Sequence, residues 1–241
     1  MAANKWEKRA LKLRGLGNQI KSVLLLRYTS FNRRRLEKDI RVRSVDRLHA
    51  GCGNVFLPGW LNITYEPREE YGCVKETGGV VVLNYNLLKP WPVGKDSIRL
   101  IAASHFIEHL DLNEGIGFLK ESFQVMKAGG IIRLSCPDLE LYARNYVQGN
   151  KGFFENKLIR EWCTFQQAQT PGEIFAAKAY DSGGSHKWFY DYASLKHILE
   201  VAGFQKVRRC SRLEGDMPDL GSIELAEREM ETVYVEAVKE R

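Results

Sequence analysis

Three side chains that can take up or release a proton stand where predicted strands end or on a glycine-flanked loop. His105 follows the apolar run Ile98–Ala103, Asp138 follows a later run, and His186 precedes Trp188 on the loop. Histidine and carboxylate groups are the usual general bases near neutral pH, so all three are candidate catalytic residues. The alternatives for the first two are structural, with His105 packing or capping the next helix and Asp138 acting as a helix N-cap.

A glycine turn lies upstream of these residues, between two short apolar runs. Gly51 and Gly53 follow the run Arg47–Ala50, and a second run, Trp60–Thr64, is followed by Glu66. Glycine lacks a Cβ, so the backbone of such a turn can bend sharply and approach a ligand closely. Because nucleotide-like ligands bind at the carboxyl ends of neighbouring strands in open α/β sheets, the pattern predicts a site of this kind.

The turn matches neither of two common phosphate-binding motifs. Phe56 occupies the position where a GxGxxG dinucleotide fingerprint has its third glycine. No Gly-Lys-Ser or Gly-Lys-Thr follows the turn, which excludes a P-loop. The identity of the ligand therefore depends on residues downstream.

The elements that would position these residues alternate between strands and helices. The runs with strand character are Arg47–Ala50, Trp60–Thr64, Gly79–Asn84, Ile98–Ala103, Ile131–Cys136, Phe204–Cys210 and Thr232–Val238. Two helices have an apolar face, formed by Leu112, Ile116, Leu119, Phe123 and Met126 in the first and by Leu195, Ile198, Leu199 and Ala202 in the second. We expect the first helix to end at Ala128-Gly129-Gly130 and the second at Gly203. The pattern predicts an α/β fold with early parallel strands and an antiparallel C-terminal strand pair.

The basic charge of the chain is concentrated at its start. Residues 1–47 hold 14 Lys and Arg against 4 Asp and Glu, whereas the remainder holds 22 against 26. Residues 1–45 are predicted to form a helical extension, broken near Gly15-Leu16-Gly17. We expect it to pack on the domain with its basic face in solvent. The alternative is a weak contact of residues 5–43 with nucleic acid or an anionic membrane surface.

The cysteines and the N-terminal residues indicate the cellular compartment in which the chain is expected. Five cysteines are dispersed without a CxxC pair, which indicates free thiols in a reducing compartment and neither disulfides nor a zinc site. No signal peptide is predicted, because charged residues interrupt the start and no long apolar stretch follows. The run Val23–Leu26 is far too short to span a bilayer. We therefore predict a cytoplasmic chain with no transmembrane segment and no metal ligands.

Four further segments follow the turn in a characteristic order. They are NYNLLKPWP after the third strand, SIRLIAASHFIEHL across the fourth, KAGGIIRLSCPD across the fifth and HKWFYDYASLKHILEVAGFQKV before the sixth. With the GCG turn and the PGWLN stretch, the chain resembles class I S-adenosylmethionine-dependent methyltransferases over residues 47–238. It is most similar to uncharacterised bacterial methyltransferases with a GCG…PGWxN stretch, an SHxxEHL turn and a late HKWxY…GF segment. The resemblance implies a Rossmann-like, mostly parallel sheet flanked by helices.

S-adenosylmethionine is the cofactor that the resemblance implies. Its methionine part would lie over Gly51 and Gly53, its ribose at the end of the second strand, and its adenine near the third strand end and the turn after the fourth. The implied contacts are His49, Ala50, Gly51, Gly53, Thr64, Glu66, Asn86, Leu87, Ser104 and His105. Two positions depart from the family, because Thr64 stands where an acid is usual and Asn86 where Asp is common. Glu66 lies two residues after Thr64, on the same strand face, and is expected to replace the missing acid.

The resemblance also divides the chain into regions. Residues 46–241 are predicted to form the methyltransferase domain after the N-terminal extension. Within it, the aromatic-rich segment 139–192 is predicted to cover the substrate. Glu108 and His109 are expected to be structural.

The predicted reaction is methyl transfer to a small-molecule or glycan acceptor. His105, Asp138 and His186 are the candidates for a general base, which is needed when the acceptor is a hydroxyl or a protonated amine. One alternative is a nucleic-acid methyltransferase that uses the basic arm, although the turn after the fourth strand lacks the (Asn/Asp)-Pro-Pro-aromatic sequence typical of base-amine methylation. Another is a non-catalytic docking module with the same fold.

Overall fold

The computed structural model describes residues 34–40, 43–66, 71–161, 163, 165, 167–180 and 186–241. Eight strands form one sheet in the order β3-β4-β2-β1-β5-β6-β8-β7. The strands are β1 (Arg47–Ala50), β2 (Leu61–Thr64), β3 (Val74–Thr77), β4 (Val80–Asn84), β5 (Ile98–Ser104), β6 (Met126–Pro137), β7 (Gln205–Cys210) and β8 (Thr232–Lys239). The five strands β4, β2, β1, β5 and β6 are parallel neighbours.

The antiparallel C-terminal strand pair is confirmed, because β8 pairs antiparallel with both β6 and β7. All seven predicted strands are present, with ends that differ by a few residues. The sequence did not predict β3, which pairs antiparallel with β4 at the opposite edge of the sheet. Val74–Thr77 lies mostly exposed at that edge and therefore lacks the apolar pattern of a buried strand.

Helices flank the sheet and, apart from a short helix at residues 34–40, follow β5, β6 and β7. They are α1 (Leu112–Val125), α2 (Leu139–Val147), α3 (Lys151–Glu155), α4 (Lys157–Glu161), α5 (Pro171–Ala179), α6 (Tyr192–Ala202) and α7 (Leu220–Ile223). Asp111 begins α1 with a reciprocal capping box to Glu114. The predicted end of α6 at Gly203 is confirmed, and this glycine is in the left-handed conformation. The predicted end of α1 at Ala128-Gly129-Gly130 is wrong. The helix ends at Val125, and the two glycines lie within β6, which pairs with β5 and β8.

The two faces of the sheet have separate apolar layers. On one face α1 and α6 pack on side chains such as Leu48, Ile63 and Leu134. On the other face Trp60 and Leu220 belong to a smaller cluster that covers the central strands. Residues 51–60, between β1 and β2, form no helix, since this connection is shorter than the dozen or more residues of a usual crossover.

Residues 139–180 contain four helices and an apolar cluster of their own. Tyr142, Phe153, Phe154 and Ile174 are buried in this cluster, together with smaller side chains. The segment begins where β6 ends, so it lies at the carboxyl edge of the parallel strands. That position is compatible with the predicted role in covering a substrate, which stays a prediction.

Residues 34–40 are helical, and their Leu36 and Ile40 are buried against the main core. This short helix packs on the main core, and the predicted N-terminal extension over residues 1–45 stays a prediction. Most of the predicted 5–43 contact surface lies outside the described residues. All five cysteines lie within the described part and are free thiols. None of the described helices is both long and apolar enough to cross a membrane.

Candidate functional site

The candidate site lies at the carboxyl ends of the parallel strands, where the strand order reverses. From β1 the chain proceeds outward to β2 and β4, then crosses to β5 and β6 on the other side. Loops that leave neighbouring strands in opposite directions form a crevice, which is where open α/β sheets bind ligands. Gly51 follows β1 and Ser104 ends the adjacent β5, so both predicted segments border this crevice.

The two glycines after β1 are required for different reasons. Both have positive φ angles, 65° at Gly51 and 50° at Gly53. A Cβ on Gly51 would lie 2.2 Å from Cδ2 of Phe106, so protein packing alone requires glycine there. A Cβ on Gly53 would meet no atom of the described residues within 4 Å. The backbone at Gly53 is therefore the part of the turn that a ligand can approach closely.

Asn62, buried in the middle of β2, holds the connection between β1 and β2 in place. Its Oδ1 accepts a hydrogen bond from the Leu57 backbone N–H at 2.8 Å, and its Nδ2 donates to the carbonyls of Leu57 and Trp60 at 3.0 and 3.1 Å. The Cys52 N–H donates to the Ile63 carbonyl at 2.9 Å. These bonds fix the path of the glycine turn without a crossover helix.

The ends of β2 and β4 are tied together by Asn84. Its Oδ1 accepts from the Glu66 N–H at 2.8 Å, and its Nδ2 donates to the Glu66 carbonyl at 3.0 Å. The Tyr85 N–H donates to the Thr64 carbonyl at 2.8 Å. Thr64 is half-buried and Glu66 is exposed at the edge of the crevice. The strand ends therefore place both residues at this edge, and their ribose contacts stay predictions.

Asn86 and Leu87 form the turn that follows β4. The Asn86 Oδ1 accepts from the Leu88 N–H at 2.9 Å, and the Asn86 carbonyl accepts from the Lys89 N–H at 3.0 Å. Leu87 is buried, and its carbonyl accepts from the Trp91 indole N–H at 2.9 Å. The Asn86 side chain thus stabilises its own turn, which leaves its NH₂ group and a second lone pair for a ligand.

Three tyrosines meet at the ends of β2 and β4, and sequence reasoning missed them. The rings of Tyr71 and Tyr85 are stacked, with centroids 5.1 Å apart and planes at 25°. Tyr65 meets Tyr71 edge-on at 6.3 Å. Tyr65 and Tyr71 are about half exposed, at 49% and 47%, although a tyrosine usually buries its ring. Two partly exposed aromatic rings therefore lie beside Glu66, where a flat ring of a ligand can stack.

His49 and Ala50 have buried side chains, so any ligand contact there would involve the backbone. Ala50 faces the main core, and His49 lies opposite Asn62 in the neighbouring strand. Burial lowers the pKa of His49 to about 4, although hydrogen bonds to Asn62 and to the Val55 backbone act in the other direction. His49 is therefore a neutral imidazole beneath the glycine turn.

His105 begins the turn after β5 with an unusual backbone conformation. Its φ is 49°, in the left-handed region that costs a non-glycine residue about 1–2 kcal/mol. Its Nδ1 lies 3.1 Å from Nη1 of Arg228 and its Nε2 lies 3.1 Å from Oγ1 of Thr232. A guanidinium group can only donate, so Nδ1 is the acceptor and Nε2 carries the proton. Strain of this kind concentrates at functional sites.

Ser104 and Asp138 lie at the ends of β5 and β6. The Ser104 hydroxyl is 3.0 Å from that of Ser135 in the neighbouring strand. Asp138 is the N-cap of α2, accepting from the Glu140 N–H at 3.0 Å, and it pairs with Arg209 at 2.6 Å. Burial raises the pKa of Asp138, an effect that Arg209 only partly opposes. The structural alternative for Asp138, an N-cap, is confirmed.

His186 lies close to Glu108 and His109. The rings of His109 and His186 have centroids 4.9 Å apart. The backbone N–H groups of Lys187 and Trp188 donate to the Glu108 carbonyl at 2.8 and 3.2 Å. The structure therefore joins the loop histidine to the turn after β5, rather than leaving it on a separate loop. No single motif in the sequence signals this contact.

A shallow apolar cavity of about 440 Å³, open to solvent, lies among the helices that follow β6. Its walls include Leu139, Tyr146, Phe175 and Phe189, together with small residues of α5.

Comparisons with known proteins give fold-level likenesses. Neither the protein-family models nor the curated proteins contain a match. A "SAM dependent methyltransferase from Archaeoglobus fulgidus" matches at TM-score 0.44 and 16% identity, over 87% of this chain and 94% of that one. The complex containing the Haloferax volcanii Trm112 methyltransferase activator matches at TM-score 0.45 and 10% identity, over 100% of both chains. "PigF with SAH" matches at TM-score 0.38 and 12% identity, and this chain spans only 39% of its length.

Proposed function

We propose that the chain binds S-adenosylmethionine and transfers its methyl group to a small-molecule acceptor. The observation that carries this proposal is the crevice at the carboxyl ends of β1, β2 and β4. It combines open backbone at Gly53, an exposed carboxylate at Glu66 and an exposed ring at Tyr71. These three features suit the three parts of the cofactor, which are an amino acid, a ribose and an adenine.

Each part of the cofactor has a chemically suitable neighbour among these residues. The glycine turn offers backbone N–H groups and room for close approach by the methionine part. A carboxylate such as that of Glu66 accepts hydrogen bonds from the two ribose hydroxyls. Aromatic side chains bind nucleobases by stacking on them, and Tyr71 with Tyr65 offers such a surface to the adenine.

The bound cofactor supplies a methyl group already activated by its sulfonium, so the protein mainly aligns the acceptor and excludes water. For His105 and Asp138 we propose positioning roles, because each side chain already has polar partners. His105 lies between Arg228 and Thr232, and Asp138 caps α2 while it pairs with Arg209.

The acceptor we propose is a small molecule with an aromatic or aliphatic part. The apolar walls of the cavity beside α2 and α5 favour such a group over a glycan, whose hydroxyls require polar partners. Leu139 belongs both to this wall and to the first turn after β6, so the cavity adjoins the carboxyl edge of the sheet.

The five free thiols support the predicted cytoplasmic location.

Isothermal titration of S-adenosylhomocysteine into the full chain tests the cofactor proposal. We expect saturable binding of one ligand per chain. The absence of heat at about 1 mM ligand, which corresponds to an affinity weaker than about −4 kcal/mol, would refute it. Release of S-adenosylhomocysteine from S-adenosylmethionine in the presence of phenolic or aliphatic-alcohol acceptors then tests the acceptor class.

A further inference from the structure

Glu108, His109 and His186 converge on one point beside the turn after β5. A ligand-type atom from each of the three lies within 4.8 Å of those of the other two. The residues come from two chain segments, and the backbone bonds from Lys187 and Trp188 to the Glu108 carbonyl hold these segments together. The cluster is largely buried, since Glu108 is 1% exposed and His186 is 8% exposed.

The carboxylate of Glu108 is buried beside His105, His109 and His186. Within the described part of the chain, neither of its oxygens accepts a hydrogen bond. His105 Nδ1 lies 3.3 Å from Oε1, but that nitrogen accepts from Arg228 and cannot also donate to Glu108. A buried carboxylate is stabilised by positive charge nearby, and a cation bound at this point would supply such a charge.

The tautomer of His186 suits a metal ligand. Its Nδ1 lies 3.0 Å from the Lys178 carbonyl oxygen, which can only accept, so Nδ1 carries the proton. With Nδ1 facing this carbonyl, Nε2 is the ring atom that can bind a metal ion. Metal-binding histidines commonly donate their second ring N–H to a backbone carbonyl in this way, which fixes both the tautomer and the ring orientation.

We propose that Glu108, His109 and His186 bind a divalent transition-metal ion, with Zn²⁺ as the reference ion. Two imidazoles and one carboxylate are a usual ligand set for Zn²⁺ and related first-row ions. Three protein ligands leave a fourth position for water or for an oxygen of another molecule. Bonds of about 2.0–2.2 Å require the ligand atoms to lie about 3.4 Å apart, so the side chains draw together on binding.

Titration of metal into the full chain after dialysis against EDTA tests this site. ZnCl₂ is added in a calorimeter, and CoCl₂ is added in parallel to follow the d–d absorption of bound Co²⁺. We expect one ion per chain, and an affinity lowered about tenfold or more in Glu108→Gln and in His186→Gln. His197→Gln is the matched control, because His197 is exposed on α6, away from the cluster, and its variant should bind as the wild type does.

Two results would overturn the proposal. The first is no binding of either ion by the wild type, and the second is wild-type affinity in both His109→Gln and His186→Gln. Circular dichroism of each variant shows whether it is folded. If Glu108→Gln does not fold, His109→Gln replaces it in the titration, because His109 is the least buried of the three ligands. S-adenosylhomocysteine binding, measured on the same samples, separates a failure of the metal site from a failure of the proposed cofactor site.

Discussion

The carboxyl edge of the sheet has two sides with different chemistry. The glycine–tyrosine side, formed by Gly51, Gly53, Tyr65, Tyr71 and Glu66, is open and follows β1, β2 and β4. The histidine side, formed by His105, Glu108, His109 and His186, is largely closed and follows β5. The first suits the recognition of an extended flat ligand, whereas the second holds ionisable groups in fixed tautomers. Exposed groups thus lie on one side of the point where the strand order reverses, and largely buried ionisable groups lie on the other.

The two sides also differ in how the fold maintains them. On the glycine–tyrosine side, Asn62 and Asn84 bind backbone groups and leave the functional side chains exposed. On the histidine side, the functional side chains themselves carry the polar contacts, as His105 does with Arg228 and Thr232. Substitutions on the first side should therefore change ligand affinity, and those on the second should also change the local structure.

The largest expected effect is on the glycine–tyrosine side. Gly53→Arg places a long side chain into the open space over the turn, so S-adenosylhomocysteine binding should become undetectable at about 1 mM ligand by calorimetry. Gly59→Arg is the matched control, because Gly59 also has a positive φ, 76°, and open space, but precedes β2 at the other edge. Equal losses in the two variants would show that backbone strain, and not ligand exclusion, is responsible.

Acid should destabilise the fold through His49, beneath the glycine turn. Its pKa is about 4 in the folded chain and 6.5 without burial, so between these values the unfolded chain binds more protons. Stability is therefore lost as pH falls from 6.5 toward 4, by about 2 kcal/mol between pH 7 and pH 4.5. Urea unfolding at both pH values should show a smaller loss in His49→Gln than in the wild type or His197→Gln. An unchanged loss in His49→Gln would contradict this assignment.

Removal of the stacking surface should lower the affinity for S-adenosylhomocysteine less than blocking the glycine turn does. Tyr71→Ala is expected to lower the affinity for S-adenosylhomocysteine about tenfold, because stacking on an aromatic ring contributes about 1–3 kcal/mol per base. Tyr71→Phe retains the ring and should bind within about twofold of the wild type. If Tyr180→Ala, at a 68% exposed tyrosine, has the same effect as Tyr71→Ala, the stacking site is misplaced.

The smallest effect is expected from the proposed ribose contact. Glu66→Ala should lower the affinity about threefold to tenfold, since hydrogen bonds to charged groups contribute about 1.5–3 kcal/mol when buried and less at an exposed site. Thr64→Ala should have a smaller effect. The reverse order, measured in the same calorimetric series, would assign the ribose to Thr64 instead.

Much of the fold was predictable because it depends on local pattern. Buried runs such as Arg47–Ala50 and the apolar face of α6 appear directly in the sequence, and the parallel sheet follows from their alternation with helices. Val74–Thr77 was not predictable as a strand, because an exposed edge strand has no such pattern. The end of α1 was also wrong, since pairing with β5 and β8 extends β6 back over the two glycines.

The site was predictable only where it follows single strand ends. Positions such as Gly53 and His105 come directly after strands, so their edge of the sheet could be inferred. The contact of Phe106 with Gly51 and the stack of Tyr71 on Tyr85 depend on how separate segments pack. The approach of His186 to Glu108 also joins distant segments. Such contacts leave no periodic signal in the sequence.

Amide hydrogen exchange with and without saturating S-adenosylhomocysteine tests the central claim most directly. The account predicts slower exchange in the turn at residues 51–55, in the strand ends at 64–66 and 84–88, and around residues 104–106. The edge strand β7 lies on the β8 side of the sheet, far from these strand ends, and its exchange should be unchanged. Protection confined to residues 139–180, or no change at any of these strand ends, would contradict the claim that the cofactor lies over the carboxyl ends of β1, β2 and β4.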